Sequence, residues 1–261
     1  MDAKTKASIN LHAVLRNVQE LCDIDDAAKD VVKDKKITVK FSVKDCEPMA
    51  LAFDSGKCTY LRGDALDGGA AKGALKLYFS SPEKFNKLVD GEKVTPIPSG
   101  AITKIGFALK EFSVLTDRLS HYLRPKPEEK DELLKDARYF EVNTTFLAYT
   151  AFHALAEIGN NDPVGREIAH RMPDGKINVE VKDGPAVGIA IKDGRMSVKI
   201  GSYENPSARM VFGNLQIVND VLNGRTDVYS AMGAGLFAIS GLIPLLDNMS
   251  KLLGSVARYL G

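Results

Sequence analysis

Residues 208–260 read ARMVFGNLQIVNDVLNGRTDVYSAMGAGLFAISGLIPLLDNMSKLLGSVARYL, and the order of patterns within them decides the fold. Ala208, Met210 and Phe212 alternate to one side, the period-2 mark of a strand with one buried face. Residues 215–222 then change to helical spacing, which Gly224 is suited to end. A second short apolar strand, 236–239, runs into Gly241. Leu242, Leu245, Leu246, Met249, Leu252, Leu253, Val256 and Leu260 close the stretch on one face of a 3.6-period helix, with Asp247, Lys251 and Arg258 off that stripe.

The same order of patterns occurs in residues 75–123, and sliding one half of the chain over the other extends the match. Residues 39–63 align without a gap on 177–201, pairing Val43 with Val181, Ala52 with Ala190, Gly56 with Gly194 and Gly63 with Gly201. Met49, Leu51 and Phe53 sit opposite Val187, Ile189 and Ile191. After one change of loop length, Phe79, Asn86 and Gly91 meet Phe212, Asn219 and Gly224, and the last helices end on Tyr122-Leu123 and Tyr259-Leu260. The chain therefore reads as two tandem copies of one α+β unit, residues 1–124 and 133–261, with the proline- and charge-rich 125–132 as linker.

Within the first copy the spacing predicts a helix over 8–22 capped by Ser8, a short helix over 26–33, and a one-sided strand on Ile37, Val39, Phe41 and Val43. Asp54-Ser55-Gly56 reads as a hairpin turn, 64–73 as a small Gly/Ala-rich loop or lid, and Ser81-Pro82 as the start of a helix. Pro96 and Pro98 exclude a helix over 95–100, so 102–105 is the expected fifth strand, followed by a helix over 108–123. The second copy repeats this, with a helix over 146–158 and another restarted by Asn161-Asp162-Pro163.

At 261 residues and 44% apolar side chains, the chain can build two ordinary cores. A net charge of +1 with interspersed signs gives no overall field for nucleic acid or an anionic membrane. No apolar window is long enough to span a bilayer, and MDAKTKASIN lacks a signal-peptide core. Cys22, Cys46 and Cys58 are odd in number and lack C-x-x-C spacing. Cys46 and Cys58 can in principle pair, but reduced thiols and a cytoplasmic location are expected.

The order of elements, with the block from Gly224 to Gly241 (GRTDVYSAMGAGLFAISG), resembles the sterol carrier protein 2-like lipid-binding family. The second copy matches best; in the first, Pro96-Ile97-Pro98 replaces part of that block. The resemblance implies, for each copy, a curved, mostly antiparallel five-stranded sheet with helices over one face. It also implies an apolar tunnel for fatty acids, acyl esters, sterols or similar lipids. From the residues alone, one-sided strands and apolar helices make a two-layer unit whose interior is either cavity or solid core.

No catalytic constellation stands beside that reading. His12, His121, His153 and His170 lack metal spacing and are expected at the surface or against helices; no G-x-S-x-G elbow occurs. Arg62, opposite Ile200 in the repeat, is either an inward partner for a carboxylate or an edge-strand residue. Gly233-Ala234-Gly235 permits either a close backbone approach or a tight turn. Met172, Met196, Met210, Met232 and Met249 suit an adaptable pocket and equally an ordinary core.

The expectation is a non-enzymatic carrier of an apolar ligand, without cofactor or metal, the alternative being a scaffold module with filled cores. Transient membrane contact and pseudo-two-fold packing of the copies fit either. Phe212, Val218, Leu222, Phe237, Leu246, Met249 and Leu253 are the expected lining. The second copy is expected to be roomier, because the first terminal helix has a narrow stripe, with Ala108 and Thr116 where the second has Leu245 and Leu253.

Overall fold

The computed structural model describes residues 1–67, 69, 71–226 and 228–260, which form two compact units, Met1–Lys130 and Asp131–Gly261. The first begins with α1 (Ala3–Ile9), which runs through a π-helical turn (Asn10–Val14) and a 3-10 turn (Leu15–Asn17) into α2 (Val18–Ile24). Its expected stripe, Ile9, Leu11, Val14, Leu15, Val18 and Leu21, is buried, but so is every other residue of 7–18, so the helix is covered on all sides there. The cap is Asp2, which accepts the Thr5 N–H at 2.7 Å, six residues before the expected cap; Ser8 lies buried inside the helix. Asp25 caps α3 (Asp26–Val32).

Next come β1 (Lys36–Val43), β2 (Met49–Asp54) and β3 (Lys57–Arg62). Ser55 and Gly56, at φ of 52° and 83°, make the two-residue turn that the right-handed twist of the flanking strands requires. The short α4 (Asp64–Asp67) puts Leu66 on Ala50 and Leu61. These side chains lie opposite β2's inward Met49, Leu51 and Phe53, so Leu66, with Ala71, covers the outer sheet face rather than forming a lid. Gly68 and Ala70 lie outside the described residues. β4 (Leu75–Phe79), α5 (Pro82–Val89) and β5 (Ile97–Gly100) follow.

The fifth strand is thus Ile97–Gly100, and the expected strand at 102–105 is instead a 3-10 turn (Ile102–Lys104) leading into α6 (Ile105–Leu109). Proline is tolerated here because β5 is a sheet edge. The strand ends where Gly100, at φ 74°, passes so close to Ala74 that a Cβ would lie 2.4 Å from its carbonyl oxygen. The predicted single helix is also broken: Lys110, at φ −118° and ψ −76°, separates α6 from α7 (Glu111–Leu123). α8 (Pro127–Leu133) starts within the stretch expected as linker and ends one residue beyond it.

The second unit repeats the plan with α9 (Ala137–Asn161), α10 (Pro163–His170), β6 (Gly175–Val181), β7 (Ala186–Lys192), β8 (Arg195–Ile200) and β9 (Ala208–Phe212). α11 (Leu215–Leu222), α12 (Val228–Gly233), β10 (Phe237–Gly241) and α13 (Ile243–Leu260) complete it. Asp193 and Gly194 repeat the hairpin at φ 51° and 72°, and Gly241 repeats Gly100.

Both sheets have one order, β3-β2-β1-β4-β5 and β8-β7-β6-β9-β10, in which only the central pair is parallel. Val39 stands beside Leu75, as Ile177 stands beside Ala208. Two polar ties recur as well. Asn86 meets Asn10 as Asn219 meets Asn143. The Tyr122 hydroxyl donates to Asp25 at 2.9 Å, and that of Tyr259 to Asp162 at 2.6 Å. Burial disfavours the charge on Asp25, but hydrogen bonds from Arg118, the Ala28 N–H and Tyr122 outweigh it and hold the carboxyl below its usual range. Asp162 is lowered in the same way, by Tyr259 and the Gly165 N–H.

Candidate functional site

In the first unit, sheet and helices do not close on one another. α7 packs chiefly on α2, α3 and α6, leaving a cavity of about 360 Å³ between sheet and helix. Its floor is Phe41, Leu77 and Phe79 of the sheet; Phe85 of α5 stands against Phe79, with ring centres 5.0 Å apart. Phe112 of α7 leans on Phe41 at 5.4 Å, and Val14 and Leu15 close the inner end. Ala108 and Thr116 are the short side chains that leave the room. Besides Thr116, the polar lining is Ser113, Asp117, Ser120 and Arg124, all four exposed. The Arg124 guanidinium donates to the Val89 carbonyl at 3.3 Å and lies 3.7 Å from Asp90.

Among the described residues of the second unit, the space between Phe152, Val179, Phe212, Val218, Leu222 and Leu253, with others, is about 20 Å³. That is room for about one water. Here α13 packs directly on β6 and β9, and its Leu245, Leu246, Met249, Leu252 and Val256 are buried. Of the seven expected lining residues, Phe212, Val218, Leu222 and Leu253 surround this small void. Phe237, Leu246 and Met249 are buried without lining it, Phe237 against Phe212 at 5.1 Å. The larger space lies in the first copy, opposite to the expected asymmetry. A narrow apolar stripe with small residues does not cover its sheet, and the uncovered volume is the cavity.

Other candidate groups take structural places. Met172, Met196, Met210 and Met249 are core, and none lines either void. Added Cβ atoms at Gly233 and Gly235 would meet nothing, and Gly235 at φ 70° makes the tight turn. Arg62, on edge strand β3, pairs with Glu47 at 2.7 Å. His12 is buried, hydrogen-bonded to the Tyr60 hydroxyl at 2.7 Å and the Glu47 carbonyl at 3.1 Å. Burial first, then the nearby Arg62, lowers its pKa to about 3, so it is a neutral core group. The three cysteines are free, and burial pushes the Cys46 thiol up to about 11 and Cys58 higher still. Among the described residues no group of His, Cys, Asp or Glu is placed to hold a metal, and no helix is long and apolar enough to cross a membrane.

No protein-family model matches the chain, and no curated protein matches it. Solved structures of sterol carrier protein 2 domains are similar to it, each over about two-fifths of its length. The sterol carrier protein domain 2 of Helicoverpa armigera is 20% identical, covering 43% of this chain and 89% of that one at a TM-score of 0.35. Sterol carrier protein 2 like 2 of Aedes aegypti is 19% identical, covering 40% and 94% at a TM-score of 0.31. A sec-alkyl sulfatase double mutant is 12% identical, covering 58% of this chain and 28% of that one at a TM-score of 0.27.

Proposed function

We propose that the first unit binds an apolar small molecule of the lipid class, without chemistry, in the cavity between its sheet and α7. The observation that carries this is volume combined with lining. About 360 Å³ falls within the range of ligand pockets, roughly 300–1,000 Å³, and the walls are aliphatic and aromatic. Burying an acyl or polycyclic surface there contributes roughly 25 cal/mol per Å² before ordering costs. The rim of Ser113, Asp117, Ser120 and Arg124 suits the polar end of an amphiphile whose chain lies inside.

For the second unit, the alternative of a filled-core module is favoured by its void of about 20 Å³. In this reading its core is solid, and the chain binds one ligand. A photoreactive fatty acid, incubated with the full chain and mapped by mass spectrometry, tests the assignment. Labelling is expected on peptides of residues 77–124. Labelling on 148–253 instead, or none above that of a denatured control, ends it.

A further inference from the structure

The edge of the first unit beside the cavity mouth has an uneven chemistry that the whole-chain charge conceals. Ile102 is 53% exposed and Leu109 73%, at either end of the stretch made by the 3-10 turn and α6. One side of α6 lines the cavity, through Ile105, Ala108 and Leu109. Its other side borders an open cleft where Lys35, Lys36, Lys104 and Lys110 outnumber Asp34 and Glu111. Lys35 pairs with Glu111 at 2.6 Å and Lys36 with Asp54 at 3.1 Å, while the Lys104 ammonium donates to the Lys36 carbonyl at 3.3 Å, so Lys104 and Lys110 are the lysines of this edge outside those two ion pairs. The break at Lys110 frees α6 from the straight course of α7, where the second unit's α13 is continuous.

We propose that this edge docks on an anionic phospholipid bilayer, with Ile102 and Leu109 entering the interface and Lys104 and Lys110 facing its headgroups. Exposed apolar side chains flanked by ammonium groups match such a surface in both hydrophobicity and sign. The mouth at Leu88 and Leu109 would then face the source of an apolar ligand, so the purpose of the surface rests on the cavity reading above. Ile102, Lys104 and Lys110 do not line the cavity, which allows docking and binding to be separated by experiment.

The test is co-sedimentation of the full chain with phosphatidylcholine vesicles, with and without phosphatidylserine. Binding that needs phosphatidylserine is expected, falling about fivefold for each of Lys104→Gln and Lys110→Gln. Ile102→Asp is expected to lower it by about tenfold. Val164→Asp, the same change at an exposed residue of the second unit, should bind as the parent does. A fluorescent fatty acid titrated without vesicles should bind all these variants as it binds the parent. Absent vesicle binding, or binding indifferent to the three substitutions, overturns the docking surface. So does a dimer in sedimentation velocity that Ile102→Asp dissolves. Vesicle binding with no uptake of fatty acid leaves the surface standing and overturns the cavity reading alone.

Discussion

The two units agree in sheet order, hairpins, fifth-strand glycine and Asp–Tyr tie, yet one encloses about 360 Å³ and the other about 20 Å³. The difference lies in the helix laid over a shared sheet. α13 runs unbroken for 18 residues and buries Leu245, Leu246, Met249, Leu252 and Val256 along its length. Its counterpart is broken at Lys110 and carries Ala108 and Thr116 where α13 has Leu245 and Leu253. Conserving the scaffold while shortening two side chains turns core into cavity. The Asp–Tyr ties hold the scaffold in place meanwhile, joining a helix start to the last turn of the covering helix in each unit.

The largest expected effect tests whether the second unit is solid. Phe212→Ala should cost about 4 kcal/mol in chemical denaturation, because a close-packed site cannot collapse to fill the hole. A cost under about 1 kcal/mol would mean slack in the second unit too, and the contrast between the units would disappear.

Filling the first cavity is the complementary change. Ala108→Leu with Thr116→Leu should weaken fatty-acid binding by about a hundredfold without lowering stability, since the added groups enter empty apolar space. Destabilisation with unchanged binding would place the ligand elsewhere.

A third expectation concerns pH and His12 of the first unit. His12 binds a proton readily when unfolded but, folded, only near pH 3. The unfolded chain therefore takes up the proton first, and stability is lost as pH falls below about 6.5. Between pH 7 and pH 5 the loss should be about 2 kcal/mol, and His12→Gln should flatten it. An unchanged slope in that variant would assign the acid sensitivity to another group.

The smallest effect is the test of equivalence. Tyr122→Phe and Tyr259→Phe should each cost about 1 kcal/mol, one hydrogen bond to a carboxylate in each unit. Asp25 and Asp162 have lowered pKa values, so this contribution is present above about pH 4 and fades as acid protonates them. Clearly unequal losses would show that the matching ties carry different loads.

Sequence by itself determined the repeat and nearly all of the scaffold. Period-2 alternation on Ile37 to Val43, the turn residues Ser55-Gly56 and Asp193-Gly194, and the helix openings at Pro82 and Pro163 are local signals with local causes. The fifth strand was less legible: Pro96 and Pro98 exclude a helix over 95–100, and the apolar 102–105 looks the better strand beside them. Proline is forbidden in a central strand, and only the finished sheet shows that 97–100 is an edge. Gly100 held the missing clue, as the counterpart of Gly241.

Where the empty space lies was decided by tertiary structure alone. The small residues Ala108 and Thr116 were visible in the sequence, but their consequence depends on how near α7 lies to β1 and β4. A helix stripe records which residues are apolar, not the distance to the layer beneath. Volume is the remainder when two packed surfaces are subtracted, so a shift of the helix or the loss of a few methylene groups changes it several-fold while every local pattern stays the same.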